Sequence, residues 1–245
     1  RQYADKIGAE YRLDINPNIA SKHVSGDDSK YFEWLNPIVD DSFLEYDNVC
    51  VLDLDIFPVH NLKDNIFEES IKNFGICTEP FQGKYRQSTR IRGGISKSSD
   101  ERWASEVKKR YGSKMPRDSD GHLKVYNAGM VVFTKEGMKL AREKFIPYQE
   151  YINMMKKIGL SRFYTVDQNY FHAMMVTHSD YTEMNNGWNS YVHFVTGPLA
   201  LQDSINDSRN RSTKFVHVQL SGADYFDNEK IHRIVNLSRS KWDHI

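Results

Sequence analysis

The sequence predicts an α/β layered fold, a sheet covered by helices. Three apolar, β-favouring runs, at residues 48–52, 74–78 and 125–134, alternate with stretches of helical periodicity. At 245 residues the chain is long enough for one large domain with a substantial core, and neither a repeat nor a linker-like stretch divides it. A single α/β domain over residues 1–245 is therefore the expectation.

Taken in order, residues 1–11 read as a helix with Tyr3, Ala4 and Ile7 on one side and Gly8 near its end. Residues 12–15 read as a short strand. The stretch 31–44 is an amphipathic helix with Phe32, Leu35 and Phe43 on its apolar side, interrupted at Pro37, which lacks the N–H a helix interior needs. Residues 48–52 form a buried strand, 61–73 a helix and 74–78 a second strand. The strand at 125–134 is entered through Asn127 and Gly129, small or amide residues that let a ligand approach the backbone. From 135 to 158 an i, i+3, i+4 pattern runs through Met138, Leu140, Ala141, Phe145, Tyr148, Tyr151, Ile152 and Met155, with a break at Pro147. Such a Met and aromatic stripe reads as core. Thr165 is placed to cap a helix carrying Asp167 and Gln168, and a strand from Lys214 ends on His217, followed by Ser221 and Gly222.

Composition excludes several classes. Thirty-three Lys and Arg balance thirty-three Asp and Glu, so no global charge invites nucleic acid. Aromatics at 13% and charged residues at 27% describe a globular protein. No apolar run approaches the roughly 18 residues of a membrane helix, and none resembles a signal peptide. The two cysteines, Cys50 and Cys77, lie in strand-like runs and read as small buried thiols, which leans toward a reducing, cytoplasmic compartment. Sequons at Asn206, Asn210 and Asn236 occur about as often as chance allows and leave a Golgi lumen open.

The chemistry concentrates where the first strand ends. Asp53 and Asp55 close an apolar run, and a buried strand cannot hold two carboxylates cheaply, so they belong at its C-terminal edge, where open α/β sheets place ligands. Side chains two apart on a strand point the same way, and oxygen ligation of this kind suits Mg²⁺ or Mn²⁺ bridging to phosphate. A surface turn with two solvated acids is the plainer alternative. Residues 82–124 carry twelve Lys or Arg against five Asp or Glu, a net of +7. That stretch is either a solvated surface insertion or a basic flap over an anionic ligand, with Arg86, Arg90 and Arg92 as candidates. Taken singly, a strand histidine such as His217 is more often structural than a ligand, and an Asp-Gln pair is more often a helix start than a catalytic site.

Together these residues resemble the nucleotide-sugar glycosyltransferases of the GT-A fold, closest to the glycogenin-like, retaining group. The resemblance runs from Tyr3 to Gly8 through Asp53, Leu54 and Asp55, Asn127 to Gly129, Asp167 and Gln168, Trp188 and Asn189, to His217, Ser221 and Gly222. It implies a central mixed sheet flanked by helices, a Mn²⁺ or Mg²⁺ cofactor and a nucleoside diphosphate sugar donor, UDP being commonest. It also implies a glycan or protein acceptor. In such enzymes the first carboxylate touches the ribose or the metal, the second ligates the metal and the late histidine completes the set, which here implies Asp53, Asp55 and His217. Donor contacts fall on Asp53, Leu54, Asn127, Gly129, Ser221 and Gly222, and the catalytic pair on Asp167 and Gln168, one of which would stabilise the cation-like anomeric centre.

Two departures accompany the resemblance. Family members open with a strand that grips the base, expected here upstream of Arg1. The late motif also places four residues between His217 and Gly222 and lacks the usual lysine, with Asp224 following and Lys230 the nearest later candidate. The competing enzyme class is a phosphatase of the haloacid dehalogenase type, in which the first aspartate is a nucleophile and the second a general acid. A sugar-nucleotide-binding module without turnover is the non-enzymatic alternative.

Overall fold

The structure, a computed structural model, describes residues 1–15, 18, 20–25, 29–79, 95–195, 204–219, 228–229, 231–232 and 234–235. Its main helices are α1 (Gln2–Ile7), α2 (Lys97–Tyr111), α3 (Lys135–Lys144), α4 (Tyr148–Lys157) and α5 (Asp167–His178). Its strands are β1 (Asn48–Leu52), β2 (Ile56–Pro58), β3 (Phe74–Thr78), β4 (Tyr126–Thr134), β5 (Tyr181–Glu183), β6 (Ser190–Val195), β7 (Ser204–Asp207) and β8 (Phe215–Gln219). Mixed sheets with helices make this an α/β fold. The chain divides into two compact units, one of residues 14–51 and 71–183, the other of residues 1–13, 52–70 and 184–245.

In the larger unit the sheet runs β1-β4-β3-β5, with β3 antiparallel to β4 and parallel to β5. Every residue of β4 is buried, as an apolar run covered on both faces requires. Its register is broken: Ile76 faces Val131 while Cys77 faces Asn127, so residues 128–130 bulge out of the ladder. α3 starts directly from β4, where the Thr134 hydroxyl accepts the Gly137 N–H at 3.0 Å. Gly137 has no room for a side chain, because a Cβ there would lie 2.0 Å from the Asn73 carbonyl oxygen. Met138, Ala141, Tyr148, Tyr151, Ile152 and Met155 are buried in one core cluster with Phe74, Phe133, Tyr170 and Phe171, and Leu140 and Phe145 pack partly buried against it, which bears out the stripe as core. The expected break at Pro147 separates α3 from α4.

The smaller unit holds the sheet β2-β8-β6-β7. β8 is central, antiparallel to β2 and parallel to β6, and its residues Phe215 to Val218 are buried. Tyr3 of α1 donates its hydroxyl to the Asp64 carbonyl at 2.9 Å and meets Phe215 edge-on at 5.1 Å.

Several expected elements differ. The first helix stops at Ile7, where Gly8 takes a left-handed conformation, and residues 12–15 form no strand. The stretch 31–44 folds as 3₁₀ turns, Ser29–Ile38 and Asp41–Glu45, and Pro37 within the first supplies no backbone donor. The helix expected at 61–73 is reduced to the turn Ile66–Glu68, since Asn65 before it and Glu69 after it both take extended backbone. Thr165 does not cap α5: its hydroxyl donates back to the Arg162 carbonyl at 2.9 Å, and Val166 occupies the cap position. Of the basic stretch 82–124, residues 82–94, including Arg86, Arg90 and Arg92, lie outside the described residues. The remainder contains α2, started by the Ser96 hydroxyl and closed by Gly112.

Candidate metal centre

The two carboxylates sit in a tight turn joining β1 to β2. The Ile56 N–H donates to the Asp53 carbonyl at 3.1 Å, and Leu54 at the tip is 86% exposed. A second backbone bond, from the Val218 N–H to the Asp55 carbonyl at 2.8 Å, ties this turn to β8. The register that follows sets Ile56 opposite His217. His217 therefore lies in the middle of β8 and not at its end. One ligand atom each from Asp53, Asp55 and His217 lies within 4.8 Å of the others, the only such group among the described residues.

Burial differs across the three. Asp53 is exposed, Asp55 half-buried and His217 buried. Crowding by neighbouring chain raises the Asp53 pKa, His217 lowers it and Asp55 raises it again, and solvent reaching the exposed residue screens all three effects.

His217 is held on all sides. Its Nε2 is 3.2 Å from Asp55 Oδ1, its Nδ1 is 3.2 Å from Asn189 Oδ1, and its ring tilts against Tyr191 at 4.9 Å between centroids. The Gln219 amide nitrogen stands 3.4 Å from Nε2. The Asn189 amide oxygen accepts from a proton on Nδ1, and the Asp55 carboxylate accepts one from Nε2, the place that a cation held by both residues would take. The donor set of two carboxylates and one neutral imidazole suits Mn²⁺ or Mg²⁺, so the residues fit the expected ion.

The turn Asn186–Asn189 that delivers Asn189 is anchored by its neighbours. Trp188, fully buried, donates its indole N–H to Glu69 at 2.7 Å, and the Lys214 ammonium lies 4.1 Å from its ring centroid. The Lys214 N–H donates to the Gly187 carbonyl at 2.7 Å. Gly187 must be glycine, because a Cβ would lie 2.0 Å from the Ser212 carbonyl oxygen.

The other sequence-predicted residues belong to the larger unit. Asn127 is buried, donates to Glu79 at 2.7 Å and accepts the Gly129 N–H at 2.9 Å through its own side-chain oxygen. The bulge brings the Ala128 N–H to Gln168 Oε1 at 3.5 Å, so the Asn-x-Gly segment and the Asp-Gln pair meet. Asp167 accepts a hydrogen bond from the Trp34 indole. Ser221 and Gly222, like Asp224 and Lys230, lie outside the described residues. Residues not singled out from sequence are Glu79, Trp34 and Gln219. Only Gln219 carried a local signal, being two residues from His217 on a strand and so on its face.

Among the described residues no helix is long and apolar enough to cross a membrane. A scan against protein-family models finds no match, and searches of curated proteins and of solved structures find no significant match either.

Proposed function

We propose that this chain is a metal-dependent glycosyltransferase domain of the GT-A type. It moves a sugar from a nucleoside diphosphate, UDP by preference, to a hydroxyl of a glycan or protein acceptor, with retention at the anomeric carbon. The observation that carries this reading is the convergence within 4.8 Å of Asp53 and Asp55, on a strand-ending turn, with His217 in the middle of β8, far along the sequence. A bound Mn²⁺ or Mg²⁺ would supply Lewis acidity that neutralises charge gathering on the departing diphosphate.

The chain's own residues divide the remaining work. Asp55 and His217 would hold the ion, Asp53 would serve the ion or the ribose, and Leu54 would lie against the nucleotide. The resemblance assigns donor-sugar roles to Asn127, Gly129, Asp167 and Gln168 and phosphate-binding roles to Ser221 and Gly222. In the transfer the bond from the anomeric carbon to the phosphate oxygen breaks. A bond to the acceptor oxygen forms as the acceptor hydroxyl gives up its proton. Asp167 or Gln168 steadies the positive charge in between.

The test is hydrolysis of a panel of nucleotide sugars with Mn²⁺, run on the native protein, on Asp55→Ala and on a chelated sample. Nucleoside diphosphate released from one donor, and abolished in both controls, is the expected result. Silence toward every donor, with phosphate released from a generic phosphomonoester, would replace this reading with a phosphatase.

A further inference from the structure

We infer that Glu79 is a positioning residue for the donor-sugar site, holding the Asn127 amide one way round and, through it, the bulge that presents the Ala128 N–H to Gln168. This rests on the donor-sugar roles given to Asn127, Gly129, Asp167 and Gln168. Glu79 continues the antiparallel ladder one residue beyond β3, its N–H donating to the Val125 carbonyl at 2.7 Å. With Cys77 opposite Asn127, Glu79 stands diagonally across from Asn127 on the same face of the sheet, within reach of its side chain. The Asn127 amide nitrogen donates to Glu79 Oε1 at 2.7 Å, while the amide oxygen accepts the Gly129 N–H at 2.9 Å. A backbone N–H only donates and a carboxylate oxygen accepts, so both contacts demand the same orientation of the amide.

A carboxylate is a costly residue to put here. Glu79 is 7% exposed and Asn127 4%, and a polar group buried that deeply needs its hydrogen bonds. Residues 128–130 leave the β3 ladder between Asn127, opposite Cys77, and Val131, opposite Ile76, and a bulge of this kind re-aims the chain beside it. The Asn127 oxygen ties the bulge at Gly129, and one residue earlier the Ala128 N–H faces Gln168 Oε1 at 3.5 Å. If the Asn127 amide turned over, its nitrogen would meet the Gly129 N–H, donor against donor, and the bulge would lose its tie. Glu79 opposes that turn, so it acts on Gln168 through Asn127 and the bulge.

The first readout needs no donor. In protein labelled with nitrogen-15, amide hydrogen exchange at Gly129 should quicken about 10- to 100-fold in Glu79→Met, the loss expected when a hydrogen bond to a charged group is removed. The Val131 and Val132 amides, in register with Ile76 and Gly75, should keep their native rates. Glu79→Gln, which still offers Asn127 an oxygen, should restore slow exchange at Gly129. If Glu79→Met does not fold, Asn127→Asp, which sets carboxylate against carboxylate, should quicken the same exchange, and adding Glu79→Gln to it, which reverses donor and acceptor, should slow it again. Native exchange at Gly129 in Glu79→Met, or quickening that spreads equally to Val131 and Val132, overturns the proposal. The second readout is release of nucleoside diphosphate from the donor that the panel identifies. Its kcat should fall by a similar factor in Glu79→Met while the affinity for UDP with Mn²⁺ stays native, since UDP carries no sugar. Equal losses of turnover and of UDP affinity would leave Glu79 a general structural residue and overturn the positioning role. A native protein that turns over no donor overturns the glycosyltransferase reading and the sugar-site role with it, whereas the exchange rates judge the link from Glu79 to the bulge separately.

Discussion

Replacing Gly187 with alanine should damage the cation site from a position that touches none of its ligands. The new Cβ would stand 2.0 Å from the Ser212 carbonyl oxygen and 2.8 Å from its carbon, whereas 3.0 Å is the closest approach real Cβ atoms show. The obstacle is backbone, so the turn Asn186–Asn189 must retreat by the missing distance. The Lys214 N–H bond to the Gly187 carbonyl, 2.7 Å in the native protein, gives way first. Overpacking of this kind costs about 1–3 kcal/mol. For a chain of this size that corresponds to a fall in Tm of roughly 2–12 °C. Because Asn189 moves with the turn, Mn²⁺ affinity should also drop about 10-fold or more. Gly137→Ala is the matched control: its Cβ would meet the Asn73 carbonyl oxygen at the same 2.0 Å, in the other unit. Thermal melts and Mn²⁺ calorimetry on both variants should show stability lost in each and affinity lost only in Gly187→Ala. Equal loss of affinity in the two, or native behaviour of Gly187→Ala, would refute the steric reasoning.

Three further outcomes are expected. Asp53 has its pKa raised in the fold, so the folded state holds that proton more tightly than the unfolded chain, and its stabilising contribution is lost as pH rises through the folded value. At neutral pH and without metal, Asp53→Asn should therefore melt higher than the native protein, a gap that closes on acidification into the carboxylate range. Added Mn²⁺ should raise the native Tm more than that of the variant, by linkage. Trp188→Phe removes the indole donor to Glu69 and should cost about 1.5–3 kcal/mol in denaturant unfolding, the range for a hydrogen bond to a charged group. Cys50, expected to be buried, is half-buried in β1, none of whose residues is buried, yet crowding by the surrounding chain still pushes its thiol up to about 12; Cys77 is buried. At pH 8 a thiol reagent should leave the native protein unlabelled while modifying both cysteines in denaturant, because the thiolate is the reactive form.

What the sequence made legible was local chemistry. Asp53 and Asp55 announced themselves because an apolar strand cannot run on through two carboxylates. The α3 and α4 helices followed from their 3.6-residue period and the proline between them. The misreadings share a cause in single-residue backbone choices. Asn65 and Glu69 take extended backbone and cut the helix expected over 61–73 to one turn, and residues 128–130 leave the ladder inside β4, a strand whose place was expected. Neither leaves a trace in hydrophobic periodicity. The partnership of His217 with Asn189 was hidden for another reason, since it depends on the parallel register of β6 and β8, which no local pattern encodes. Gln219, by contrast, was open to view from the two-residue period of a strand.

The most direct test of the central claim is a Mn²⁺ titration of the native protein and of Asp55→Ala, each with and without UDP. One Mn²⁺ per chain, bound more tightly when UDP is present and lost in Asp55→Ala, is the result this account requires. Weak binding that is the same in both proteins and indifferent to UDP would contradict it.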